Sequence, residues 1–320
     1  MTLANKANEL KQHLEQTIFG QPILIQRLLL ALFADGHLLV EGAPGLAKTK
    51  SIKALSNLIE ADFHRIQFTP DLMPADITGT EIYDQNKAEF HFQKGPVFHN
   101  LILADEINRA SAKVQSALLE AMGEGQVTIG KKTYELPKLF LVMATQNPIE
   151  QEGTFNLPEA QLDRFMMHVQ IDYPSAITEK QILSLSRQEQ VNKNKPLKNL
   201  ILSQEDIFAI RKEILNIHMD SSLEDYLIQI IMATRTPKKY SDELALLIEY
   251  GASPRASIYL DRCARSIAWL NNRDFVTPSD IQDVVYDILR HRIGLSFYAE
   301  SKGLKADQII DKILSLVQQP

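Results

Sequence analysis

Residues 41–50 read EGAPGLAKTK, and whether this run can hold a phosphate decides the fold. The phosphate-loop template is G-x-x-x-x-G-K-[ST], with glycine just before the lysine. Here the eight positions are Gly42, Ala43, Pro44, Gly45, Leu46, Ala47, Lys48 and Thr49, so alanine stands in that place. The run lies between an apolar strand pattern, His37 to Val40, and a helical pattern over about 48–60. Backbone N–H groups of such a turn, together with the N-terminus of the next helix, attract an anion. Lys48 is expected to reach the outer phosphates of a nucleotide, and Thr49 to offer its hydroxyl to Mg²⁺. Ala47 matters only if its position needs positive φ or no side chain. A methyl group is the smallest addition, and alanine is comfortable at a helix start, so the loop is read as intact.

Outward from this loop, the first 173 residues alternate short apolar runs with helical patterns. Phe63 to Phe68 alternates apolar and polar residues, and Leu101 to Ala104 and Leu139 to Met143 are continuous apolar runs. Met166 to Ile171 is a fifth strand. Continuous apolar runs suit strands covered on both faces. With helices at 48–60 and 111–123, the rhythm is that of an α/β domain around a mostly parallel five-stranded sheet. Residues 77–98, turning at Asp84-Gln85-Asn86-Lys87, and residues 125–137, turning around Gly130, read as two β-hairpin insertions.

From about residue 174 the composition shifts. The polar run Gln188 to Leu200 is a boundary, and everything after it reads as helix. Ser203 to Asp206 resembles a capping box, and Thr277-Pro278-Ser279-Asp280 is a helix start. The expected layout is a nucleotide-binding core over 1–173, a linker region over 174–199 and a small helical lid over 200–320.

Two further elements carry chemistry. Asp105 and Glu106 follow the third strand. An acid at that strand end, beside the phosphate loop, can hold Mg²⁺ through its water shell, and the acid next to it can polarise an attacking water. Asn147, after the fourth strand, could orient that water, although asparagine before proline is also an ordinary turn residue.

The ordered series GAPGLAKT, LILADEINRA, ATQNP, LPEAQLDRF and GASPRA resembles the MoxR family of AAA+ ATPases, from Phe19-Gly20-Gln21 to Arg292. The resemblance implies an AAA+ core with a helical lid, ATP and Mg²⁺ as ligands, and a homo-oligomeric, hexameric ring. Lys48 and Thr49 match the phosphate-loop pair, Asp105 the metal-organising acid, Glu106 the catalytic base and Asn147 the first sensor. Arg164 matches the finger that enters a neighbouring subunit's site; alone it would better suit an ion pair with a surface acid. Arg255 matches the second sensor on the lid. Ser253 and Pro254 put it in a helical first turn, where an unaccompanied cation opposes the dipole. Phe19 and Gly20 fall in the segment near the adenine. The hairpins match family insertions that either face a pore or partner or only shape the ring surface. The family's activity is chaperone-like, in metal-centre or complex assembly, with clients or co-chaperones that include von Willebrand A domains.

Composition narrows the alternatives. The 320 residues are 45% hydrophobic and 23% charged, with formal charge −6 and one cysteine, Cys263. No intrachain disulfide is possible, and no apolar run approaches the ~20 residues of a membrane span. With no apolar leader at the start, a cytoplasmic location is expected. A nucleic-acid motor would usually be basic, so a nucleic-acid partner is not expected. A nucleotide-gated scaffold with little turnover is the non-enzymatic alternative. No transition metal is expected.

Overall fold

A computed structural model describes residues 2–85, 88–148, 153–191 and 200–320. The chain begins with two helices, α1 (Leu3–Thr17) and α2 (Pro22–Phe33). The core follows as β1 (Leu38–Glu41), α3 (Lys48–Leu58), β2 (Phe63–Gln67), α4 (Pro74–Thr78), β3 (Gly79–Asp84), β4 (Glu89–Lys94), β5 (Leu101–Asp105), α5 (Ala112–Glu124), β6 (Gln126–Ile129), β7 (Lys132–Glu135), β8 (Leu141–Gln146), α6 (Glu159–Leu162) and β9 (Met167–Gln170). The rest is α7 (Ala176–Val191), α8 (Gln204–Leu215), α9 (Ser221–Arg235), α10 (Asp242–Leu247), β10 (Ile248–Tyr250), α11 (Pro254–Leu270), α12 (Pro278–Leu289), β11 (Gly294–Leu295), α13 (Phe297–Ser301) and α14 (Ala306–Leu316).

Five strands form one parallel sheet in the order β2-β5-β8-β1-β9. Alternation of side chains across a strand divides the core between its faces. Leu38 and Val40 pack with Leu101, Leu103, Leu141 and Met143 toward α1, α2, α3 and the lid helices. Leu39 packs with Ile102, Ala104, Val142 and Ala144 toward α5 and the hairpins. Both faces are covered, so the strands are apolar throughout. Antiparallel β3–β4 and β6–β7 are the two expected hairpins. They touch through stacked Phe92 and Tyr134 rings, 4.2 Å apart. Asn86 and Lys87, expected in the first turn, lie outside the described residues.

Three expectations change. Helix α7 runs through the span expected as linker, up to Val191, and residues 192–199 lie outside the described residues. The C-terminal region is not wholly helical, because β10 pairs antiparallel with β11. Helix starts are as expected: Ser203 Oγ accepts from Asp206 N–H at 3.1 Å while Asp206 accepts from Ser203 N–H at 3.0 Å. Asp280 accepts from Thr277 N–H at 2.7 Å. The third change concerns Ala47, whose φ is +59°. The position does need positive φ, so alanine there is strained rather than comfortable. Left-handed backbone costs an L-residue roughly 1–2 kcal/mol.

Candidate nucleotide site and intersubunit face

β1 ends at Glu41, and the loop turns directly over the C-terminal edge of the sheet, where parallel α/β proteins bind ligands. A cavity of about 340 Å³ opens there, lined by Pro44 to Lys50 with Asp105, Glu106, Thr145 and Asn147. The structure therefore brings together Lys48, Thr49, both acids and the buried Asn147. Lys48 Nζ folds across the loop to donate to Gly42 O at 2.6 Å and Gln146 O at 3.4 Å. Burial pushes its pKa below the usual lysine value, while the charges of Asp105, Glu106 and Glu41 oppose that shift.

The acids are held by residues that sequence reasoning did not single out. Thr145 Oγ1 donates to Asp105 Oδ1 at 2.6 Å and accepts from Glu106 N–H at 2.9 Å. The other Asp105 oxygen is gripped by Arg65, whose Nη2 lies at 2.7 Å. Glu106 has φ +57° and ψ +51°. Its carboxylate accepts from Gln67 Nε2 at 2.9 Å and pairs with Arg109 Nε at 3.2 Å. Left-handed backbone in a non-glycine residue persists only where its surroundings impose it, and these bonds supply that constraint. Alternation along β2 places Arg65 and Gln67 on one side, and pairing with β5 sets Gln67 opposite Asp105. Polar residues at the end of an edge strand were the only sequence signal for them.

The loop also walls a second, larger cavity of about 440 Å³, which Phe19, Ile18, Tyr173, Ile182 and Leu185 line. Gln21 lines it too and donates to Asp172 O at 3.1 Å. Gly20 stands behind it, where an added Cβ would come within 2.6 Å of Thr178 Cγ2 on α7. A flat base beside a phosphate cavity suits this arrangement. For Mg²⁺, the Thr49 hydroxyl and Asp105 carboxylate line the same cavity, a hard oxygen donor set that phosphate oxygens and water would complete. Among the described residues no cluster of three or more His, Cys, Asp or Glu is placed to hold a metal ion.

Arg164 and Arg255 are elsewhere. β9 runs parallel to β1 with Leu38 opposite Met167 and Glu41 opposite Gln170. Residues 163–166 thus precede the strand starts, while the loop follows the strand ends, roughly 10–13 Å of strand away. Arg164 Nη1 donates to Leu119 O at 3.0 Å, in the last turns of α5. Arg255 follows a Ser253 cap, with Arg255 N–H to Ser253 Oγ at 3.2 Å. It is not unaccompanied, because its Nη1 pairs with Asp163 Oδ2 at 3.0 Å. Asp163 Oδ1 accepts from Ser253 Oγ at 2.7 Å and from Arg292 Nε at 2.8 Å. Burial pushes the Asp163 pKa up, but the Ser253 and Arg292 hydrogen bonds outweigh it and hold the carboxyl below its usual value.

A parallel sheet with its phosphate loop on a central strand, backed by a helical lid, is the architecture of an AAA ATPase, and the sequence agrees. Residues 37–167 match the model of the ATPase family associated with various cellular activities (AAA), and residues 243–313 match the AAA lid domain. The chain is 43% identical to chaperone MoxR1 of Mycobacterium tuberculosis over 96% of its own length and 80% of that protein. It is 42% identical to the YeaC protein of Bacillus subtilis over 97% and 93% of the two. The crystal structure of a candidate ATPase from Cytophaga hutchinsonii, 50% identical, superposes with a TM-score of 0.91 over 99% of this chain and 95% of that one. The chain belongs to the MoxR family of AAA+ ATPases. Among the described residues no helix is long and apolar enough to cross a membrane.

Proposed function

We propose that this protein hydrolyses ATP with Mg²⁺ in a ring of identical subunits, six by family resemblance, and uses the energy to remodel or mature a partner protein. One observation carries the ring: Lys48, Thr49, Asp105, Glu106 and Asn147 gather at one end of the sheet, while Arg164 and Arg255 stand at the other. A complete site then forms only where one subunit's arginines meet the next subunit's phosphate cavity, in a head-to-tail contact that closes a ring. Arg255, like Arg164, serves the neighbour's nucleotide in this reading.

Within one site, Lys48 and the loop N–H groups hold the outer phosphates. Asn147 orients the water, and Glu106 accepts its proton. Arg164 from the neighbour stabilises charge that grows in the transition state. Magnesium, when bound near Thr49 and Asp105, supplies charge neutralisation on the phosphates. The chaperone role and a partner with a von Willebrand A domain rest on the family, one member of which is named a chaperone.

The test is phosphate release by the purified protein and by Glu106→Gln. The wild type is expected to turn over, and the variant to bind a fluorescent ATP analogue while hydrolysing roughly 10²–10⁴-fold more slowly. A wild type that binds nucleotide without turnover would be a nucleotide-gated scaffold.

A further inference from the structure

Arg292 lies just past the end of α12, and its side chain is 1% exposed. A guanidinium has five N–H donors, and all five are used. Nε donates to Asp163 Oδ1 at 2.8 Å. Nη1 donates to Met166 O at 3.2 Å and Ile288 O at 2.5 Å. Nη2 donates to Asp163 O at 2.9 Å and Phe165 O at 2.6 Å. Tyr259 of α11 covers one face, 5.1 Å from the guanidinium carbon.

Four of these five acceptors belong to residues 163–166 of the core, and they bracket Arg164 on both sides. Burying a guanidinium is costly unless its donors are matched. A hydrophobic contact between lid and core would have joined them more cheaply. A lid residue has instead been spent on the backbone carbonyls around one arginine. Those carbonyls fix the direction in which the Arg164 side chain leaves the main chain, and α5 receives it at Leu119 O.

We propose that Arg292, with Asp163, is the positioning device of the arginine finger, so that the pose of a subunit's lid is transmitted to the ATP held by its neighbour. Neither residue touches the phosphate cavity of its own subunit. Asp163 completes the coupling, because one oxygen serves buried Arg292 and Ser253 while the other serves Arg255, which is 47% exposed and free to exchange partners. The inference rests on Arg164 acting in trans.

Arg292→Lys keeps the charge but loses the fork. It should leave the affinity of its own site for a fluorescent ATP analogue within about twofold while turnover falls at least tenfold. Co-assembled with Glu106→Gln subunits under two tags, Arg292→Lys should regain activity, since its sites keep their base and receive an intact finger from the neighbour. Co-assembled with Arg164→Ala subunits it should not. Asp163→Asn should fall in the same group, and it carries the test if the lysine variant does not assemble. Loss of nucleotide affinity in parallel with turnover, or no rescue by Glu106→Gln, makes the contact ordinary lid packing and overturns the clamp. The control pair Arg164→Ala with Glu106→Gln separates the two ideas. If it shows rescue while the Arg292 and Asp163 variants do not, the clamp alone falls. If the control shows none, the trans finger falls and the clamp with it.

Discussion

Asp105 and Arg292 stand at opposite ends of one sheet and are held in opposite ways. Asp105 is gripped by Arg65, which is 47% exposed, and Glu106 by Arg109, which is 41% exposed. Ion pairs that open to water contribute at most about 1 kcal/mol, so an arriving Mg-nucleotide can displace them. Arg292 is enclosed, with every donor matched. Breaking a buried pair of that kind costs roughly 3–5 kcal/mol. In the proposed cycle, the pairs that give way to a nucleotide are the exposed ones, while buried Thr145 keeps both acids in place, and the end proposed to present Arg164 is tied from inside. Strain does not follow this division: Ala47 and Glu106 hold positive φ at the phosphate end, and Asp35 does so before β1 at the other.

The largest effect that would break or sharpen this comparison is on turnover. Arg164→Ala should lose roughly 10³–10⁵ in kcat with nucleotide affinity little changed, because the residue is remote from its own subunit's cavity. Steady-state phosphate release and analogue titration separate the two quantities.

Next in size is acid sensitivity at the finger end. His37, at the foot of β1, accepts from Val142 N–H on Nδ1 at 3.1 Å, with Nε2 3.4 Å from Met122 O. Burial pushes its pKa down to about 4 from an ordinary 6.5. The unfolded chain therefore binds a proton that the native state refuses. This contribution is intact above about pH 6.5 and is lost as pH falls toward 4, by at most roughly 3 kcal/mol. Buried His291 adds in the same direction. Urea unfolding at pH 7.5 and 4.5 should show the loss, and His37→Gln should reduce the difference between the two pH values. An undiminished difference would clear His37 of this role.

Smallest on stability are two mirrored swaps. Ala47→Gly removes left-handed strain and should stabilise the nucleotide-free protein by up to about 1 kcal/mol. Gly123→Ala, in α5, gains about 0.5–1 kcal/mol of helix propensity, which loss of the Arg164 hydrogen bond, worth about 0.5–1.5 kcal/mol, largely offsets, so stability should change by less than about 1 kcal/mol. An added Cβ there would lie 1.7 Å from Arg164 Nη1, so the guanidinium must leave Leu119 O, and turnover should fall roughly 10–100-fold. Unfolding midpoints with parallel kinetics check both. A Gly123→Ala protein that kept full activity would show the Leu119 contact to be incidental.

Much of this was legible in the sequence. The five strands announce themselves because both faces of the sheet are covered, and the loop, Asp105 and Glu106 follow from strand ends. Ser203 and Thr277 declare their helix starts because a cap is a local matter. The missing parts are those that distant segments decide. Thr145, Arg65 and Gln67 acquire their roles only when β2, β5 and β8 come into register. Arg292 reads as one more basic residue after a helix until the fold sets it under residues 163–166. The φ of Ala47 is imposed by loop geometry, and its small side chain gave no sign of strain.

The central claim is that the two ends of the sheet serve two different nucleotides, and mixed rings test it most directly. Arg164→Ala and Glu106→Gln subunits, each nearly inactive alone, would be co-expressed with different tags and purified through both. Each Arg164→Ala subunit keeps its base, and a Glu106→Gln neighbour still lends it a finger. With equal random mixing, head-to-tail contacts would leave roughly one interface in four with both groups intact. Activity per subunit should therefore rise well above either variant alone. Mixed rings carrying both tags, yet no more active than the single variants, would contradict the claim once doping of wild-type rings with Glu106→Gln subunits shows a linear loss, because that linearity means sites fire independently.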